Sequence, residues 1–264
     1  MNFTPRDWFA RLIVFMFLFI PWFGSSIYQP LPNFFLPFMN FASANQESDL
    51  ITIQTDEDPS WAVIWLHGLG ADGNDFVPIV KELPLQNAPG IRFLFPHAPI
   101  RSITVNGGMR MRGWYDIKSM DLADRVDAAG VYESAEQVEA LIAEQVAVGI
   151  PESRIILAGF SQGGVIALHT GLHYPKTLGG IIALSTYLPI MEGLEQELAD
   201  ENRNTPLFMA HGSMDPVVPL SLGEGSKNWL EQQGYEVEWH TYPMPHSVAA
   251  EEIDHIGRWL SERF

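Results

Sequence analysis

The chain has 264 residues and no cysteine, with 15 Lys and Arg against 32 Asp and Glu, a formal charge of −17. Without thiols, disulfide scaffolds, thiolate zinc sites and cysteine nucleophiles are excluded. The acid excess argues against a nucleic-acid partner, whose phosphates are gripped by clustered Lys and Arg.

The charge is unevenly placed. Residues 1–44 hold 13 of the 31 aromatics but one acid, Asp7, and two bases, Arg6 and Arg11, which leaves −18 on the other 220 residues. Residues 12–23 (LIVFMFLFIPWF) are an unbroken apolar run behind that basic arm, the layout of an export signal. Ala42-Ser43-Ala44 has a cleavage-site pattern but lies well downstream. A bilayer span takes about 20 apolar residues, and Pro21, Pro30, Pro32 and Pro37 break any long helix here. Three readings stand: an export signal, an anchor that associates with a membrane through residues 8–41, or a stretch upstream of a start at Met39. No catalytic role is assigned to residues 1–44, and residues 45–264 form the catalytic domain.

From residue 50 onward, short apolar runs alternate with amphipathic stretches. Residues 62–66 (AVIWL), 91–95 (IRFLF), 154–158 (RIILA), 180–184 (GIIAL), 207–210 (LFMA) and 237–242 (VEWHTY) read as strands, most of them apolar throughout, as strands covered on both faces are. Val131, Ala135, Val138, Ile142 and Val146 recur at helical spacing, with Gly149 and Pro151 as the stop. Residues 165–174, 222–233 and 249–263 are further helices. This alternation predicts a single α/β domain, a mostly parallel sheet with helices on both faces.

Gly159-Phe160-Ser161-Gln162-Gly163 fits G-x-S-x-G between the strand ending at 158 and the helix over 165–174. In that strand–turn–helix setting a serine is held on a tight turn with its oxygen presented above the sheet. A serine needs a base to attack at neutral pH, and on this fold the partners follow in the order serine, acid, histidine. Asp215 lies in the loop after the 207–210 strand and His246 in the loop after the 237–242 strand. Ser161 is thus the candidate nucleophile, His246 the base and Asp215 the acid that orients it. His211, His240 and His255 fit the order or the loop placement less well. The first strand runs into His67-Gly68-Leu69-Gly70, where the fold needs a second oxyanion donor. The backbone N–H groups of Leu69 and Gln162 are the candidate pair.

Two other patterns are set aside. Gly68, Gly70 and Gly73 spell a dinucleotide fingerprint, but residues 83–115 contain no acid to hold a ribose. His169 and His173 stand four apart like zinc ligands, yet Thr170 and Gly171 replace the Glu-x of that motif and no third ligand is evident.

Together, LHGLGADGNDF (66–76), FPHAPIR (95–101), GWYDI (113–117), AGVYE (129–133), GIPESRIILAGFSQGG (149–164), ALSTYLP (183–189), HGSMDPVVP (211–219) and MPHSV (244–248) closely resemble the carboxylesterase and acyl-protein thioesterase (lysophospholipase-like) family of α/β-hydrolases. The resemblance implies the same roles for Ser161, Asp215, His246, Leu69 and Gln162, adds Trp114 and Leu188 as acyl-pocket walls or core residues, and implies a cytoplasmic catalytic domain. Ser213 stands where the family often has aspartate, and residues 1–44 have no counterpart in compact members. The expected function is hydrolysis of small carboxylic esters with short to medium acyl groups through an acyl-enzyme, with acyl-protein thioesterase or lysophospholipase as the alternative and a non-enzymatic binding scaffold the remote one. The expected partner is a small ester or thioester, and no cofactor or metal is expected.

Overall fold

A computed structural model describes residues 50–264 apart from 87, 120, 121, 123–125 and 190–193. The reading of residues 1–44 as a separate segment lies outside the described residues.

Nine strands alternate with helices: β1 (Leu50–Gln54), β2 (Trp61–Leu66), α1 (Ile79–Glu82), β3 (Ile91–Pro96), β4 (Ile100–Ile103), β5 (Met109–Arg112), α2 (Ala128–Ala147), β6 (Ile155–Phe160), α3 (Gln162–His173), β7 (Gly180–Leu184), α4 (Leu194–Glu197), β8 (Leu207–Gly212), α5 (Leu220–Gln232), β9 (Val237–Tyr242) and α6 (Ala250–Ser261). Seven form one sheet in the order β1-β3-β2-β6-β7-β8-β9. It is parallel throughout except that β1 runs antiparallel to β3. This is the expected α/β-hydrolase architecture.

Alternation along each strand explains why the central runs are apolar without a break. Val63, Trp65, Phe93, Phe95, Ile156 and Phe208 point to one face, where they pack with Ile79 of α1 and Ile253, Ile256 and Trp259 of α6. Ala62, Ile64, Leu66, Leu94 and Leu157 point to the other, under Val131, Val138 and Ile142 of α2 and Val165 and Ile166 of α3. The core on this second face continues under α5 through Ile181, Ala183, Met209 and Leu230. With both faces covered, no position in β2, β6, β7 or β8 can be polar at low cost.

The element ends differ from the sequence expectation in small ways. Arg154 lies in a 3-10 turn (Glu152–Arg154), so β6 starts one residue later and runs on to Phe160. β8 extends through His211 and Gly212. The stop after α2 is as read: Gly149 takes φ +100°, and the Ile150 N–H bonds back to the Gln145 carbonyl at 3.0 Å. The short helices α1 and α4 went unread, as did two features of the strands. β1 is a half-exposed edge strand carrying Thr52 and Gln54, too polar to signal. β4 and β5 form a separate antiparallel hairpin whose Asn106-Gly107 pair is a turn signal in plain view.

All the candidate residues sit at the carboxyl end of the sheet. The strand order reverses direction at β2, with β3 on one side and β6 on the other. Open α/β sheets form their ligand crevice at such a switch point. The 67–70 loop leaves β2 and the Ser161 turn leaves β6, and these strands are paired up to Leu66 opposite Gly159.

Candidate active site

Ser161 sits between β6 and α3 at φ +55°, ψ −120°, a conformation that non-glycine residues hold only under constraint. The constraints are visible. Its N–H donates to the Leu184 carbonyl at 2.9 Å, and the Thr186 hydroxyl donates to its carbonyl at 2.7 Å. The turn is closed so tightly that a Cβ at Gly163 would lie 2.4 Å from the Leu66 carbonyl oxygen, and one at Gly159 would lie 2.2 Å from that of Gly163. The G-x-S-x-G glycines are therefore required by backbone approach.

Asp215 and His246 come together from the loops after β8 and β9. The His246 Nδ1–H donates to Asp215 Oδ2 at 2.7 Å. Asp215 Oδ1 accepts from the N–H groups of Val217 at 2.8 Å and Val218 at 2.9 Å, so the fully buried carboxylate has three donors and one available orientation. The His246 ring packs at 4.7 Å, centroid to centroid, on Phe160, the residue before Ser161. His211 lies beneath: its Nε2–H donates to the Val218 carbonyl at 2.9 Å and stands 3.6 Å from Asp215 Oδ2. Burial holds this imidazole below its ordinary pKa, so it packs as a neutral ring.

Leu69 and Gln162 follow the paired ends of β2 and β6 at the switch point. The Gln162 N–H opens α3, where helix amides lack intrahelical partners. Among the described residues neither it nor the Leu69 N–H donates a hydrogen bond. The Ser161 N–H, by contrast, is already taken by Leu184.

These two segments are braced by a third. The Gln162 side chain accepts from the Trp114 N–H at 2.8 Å and donates to the Tyr115 carbonyl at 2.7 Å. The Trp114 indole donates to the His67 carbonyl at 2.8 Å, while the Gly70 N–H donates to the Arg112 carbonyl at 2.8 Å. His67 completes the frame: its Nε2 accepts from the Ala98 N–H at 3.0 Å and its Nδ1–H donates to the Gly68 carbonyl at 2.7 Å. Burial pushes its pKa down to about 4, against a partial lift from the Gly68 bond. It is a neutral hydrogen-bonding strut rather than a second base.

Trp114 and Leu188 are both buried, at 1% and 3% exposed. Trp114 packs in the core on the α2–α3 face, and Leu188 among Leu168, Leu172 and Leu194. The brace through Trp114, Tyr115 and the Gln162 amide went unread in the sequence, as did the Thr186 hydroxyl. Their partners are distant in the chain, and only the motif strings GWYDI and ALSTYLP hinted at them.

Comparison with known proteins decides the kinship. Residues 48–263 match the family described as Phospholipase/Carboxylesterase. The chain belongs to this family. Acyl-protein thioesterase 1 of Neurospora crassa is 42% identical over 211 residues, covering 76% of this chain and 86% of that protein. Carboxylesterase SOBER1 of Arabidopsis thaliana is 32% identical over 204 residues, covering 76% and 90%. The crystal structure of Arabidopsis thaliana SOBER1 superposes with a TM-score of 0.72, covering 77% of this chain and 98% of that one. Membership in this phospholipase/carboxylesterase family makes the protein a hydrolase acting on esters. Among the described residues no helix is long and apolar enough to cross a membrane, and no three His, Asp or Glu converge as metal ligands.

Proposed function

We propose that the protein cleaves small carboxylic esters with short to medium acyl groups by two-step acyl transfer at Ser161. His246 takes the Ser161 proton as the hydroxyl attacks the carbonyl carbon. The resulting oxyanion is held by the Leu69 and Gln162 N–H groups, at the positive end of α3. The alcohol leaves with the proton from His246, and water, activated by the same ring, then releases the acid. Asp215 keeps the imidazole in the Nδ1–H tautomer and stabilises the imidazolium. The single observation that carries this reading is the 2.7 Å His246–Asp215 bond beside a serine held at φ +55°.

A second reading, hydrolysis of acyl thioesters, is favoured by the relatives named acyl-protein thioesterase 1; it uses the same groups. We further place the catalytic region in the cytoplasm, as the family implies; the alternative is export or membrane association through residues 1–44, and N-terminal sequencing of the native protein separates the two. Function is tested by fluorophosphonate labelling with the adduct mapped by mass spectrometry, and by a chain-length series of aryl esters and matched thioesters with Ser161→Ala as control. Adduct on Ser161 and turnover abolished in the variant are expected. Labelling elsewhere, or unchanged turnover by Ser161→Ala, would overturn the proposal.

A further inference from the structure

At the far end of α3, eight residues and about 12 Å along the helix from Ser161, α2, α3 and α4 line an open cleft of about 440 Å³. This is within the size range of small-molecule sites. Its lining includes Tyr132, Glu136, Glu139, His169, His173 and Glu197: three carboxylates with no Lys or Arg among them. Carboxylates alone would be a solvated surface, but the floor of the cleft is different. His169 is 2% exposed, yet its Nδ1 has no hydrogen-bond partner among the described residues; the same holds for Thr170 Oγ1, fully buried, and for His173 Nε2. Buried polar atoms normally find partners; other such atoms are scattered through the described residues, but here three lie together beneath one cleft, where a ligand bearing N–H groups would supply donors.

The chemistry of that ligand follows from the lining. The cleft lies at the C-terminal end of α3, where unpaired carbonyls carry partial negative charge, so charge and dipole both favour a cation. Burial and the neighbouring His173 push the His169 pKa down to about 3; it is a neutral ring able to accept a hydrogen bond. The rings of Tyr132 and His169 meet edge to face at 5.0 Å, an aromatic wall suited to a cation. A bare metal ion is a poor match. No three ligating side chains converge, and His173 spends its Nδ1 on the His169 carbonyl. His173 Nε2 stands 3.9 Å from Glu197 Oε2. Acceptors spread this widely suit an extended molecule with several N–H groups.

We propose that this cleft binds a small organic cation of the di- or polyamine class, with its ammonium groups on Glu139 and Glu197 and an N–H directed to His169. The site is separate from Ser161 and takes no part in ester cleavage.

Isothermal titration of the full chain with spermidine tests this, using His169→Phe, which keeps the ring and removes its nitrogens, and Glu139→Gln. Glu144→Gln, an exposed residue of α2 outside the cleft, controls for diffuse attraction by an acidic protein. Saturable one-to-one binding is expected, weakened at least tenfold by His169→Phe and by Glu139→Gln and unchanged by Glu144→Gln. Ester turnover without spermidine is expected to be the same in all four proteins. Should His169→Phe fail to fold, Glu139→Gln and Glu197→Gln, both at accessible positions, carry the test. Absence of saturable binding, equal weakening by Glu144→Gln, or binding of zinc chloride but not spermidine would overturn it.

Discussion

Replacing Asp215 by Asn changes the charge but not the shape of the side chain, and the structure dictates how the amide must sit. Oδ1 accepts from the Val217 and Val218 N–H groups at 2.8 and 2.9 Å. Turning the NH2 toward those donors would leave two buried N–H groups unpaired, at about 1–3 kcal/mol each. The amide oxygen therefore stays on Val217 and Val218, and its NH2 faces His246 Nδ1 where the carboxylate now accepts at 2.7 Å. The imidazole must then carry its proton on Nε2 and can no longer take one from Ser161. A wrong-tautomer variant of this kind in a serine hydrolase loses turnover about 10⁴-fold, or roughly 5.5 kcal/mol of transition-state stabilisation. Steady-state hydrolysis of a short aryl ester at neutral pH should show this loss mainly in kcat. The melting temperature should stay close to that of the parent, because both backbone bonds to the side chain survive. Retention of more than a tenth of the parent turnover would refute the argument, and so would a large fall in stability.

The strain at Ser161 predicts that Ser161→Gly is more stable than Ser161→Ala by about 1 kcal/mol in urea unfolding, both being inactive, since glycine alone accepts φ +55° freely; the reverse order would show that the turn is unstrained. A Cβ at Gly163 would meet the Leu66 and His67 carbonyl oxygens at 2.4 and 2.6 Å, so Gly163→Ala should cost at least about 3 kcal/mol, the upper part of the overpacking range, and lower kcat; an alanine variant of parental stability would contradict the close approach. Glu252 is buried with its pKa raised to about 8 by desolvation, against the pull of its bond from the Ala249 N–H. The folded protein therefore keeps a proton that the unfolded chain releases above pH 4.5. Stability is full below that value and falls by about 1.4 kcal/mol per pH unit until the folded group ionises near pH 8. Glu252→Gln should flatten the decline of melting temperature between pH 5 and 8, and parallel curves for the two proteins would exclude Glu252 as its source.

What the sequence disclosed depended on how each residue is held. The central strands were legible because burial on both faces leaves an unbroken apolar run, as in WAVIWL of β2. The order Ser161, Asp215, His246 was legible because each follows a strand whose end the apolar run marks. β1, with Thr52 and Gln54 facing outward, has no such signature, and its antiparallel pairing with β3 is a property of the finished sheet. The brace of Gln162 on Trp114 and Tyr115 joins residues 47 and 48 apart. No local pattern encodes that, and a glutamine after the serine reads as any polar helix start.

The brace bears on how the donor pair is kept in place. The Leu69 and Gln162 amides belong to loops after different strands, and their spacing is set first by the register that puts Leu66 opposite Gly159. Register alone does not fix the loop beyond Leu66, which is also held by the Gly70–Arg112 and Ala98–His67 bonds, and a proposed donor displaced by 1 Å can cost about a hundredfold in rate. Trp114 adds to this restraint by holding the His67 carbonyl with its indole and the Gln162 side-chain oxygen with its backbone N–H. One buried residue thus ties the loop carrying Leu69 to the helix start carrying Gln162. Removing the Trp114 ring would free the His67 carbonyl and also open a cavity in the core on the α2–α3 face. The geometry of the proposed donor pair therefore depends in part on a residue of the GWYDI segment, which reaches both loops through the backbone and side chain of a single tryptophan.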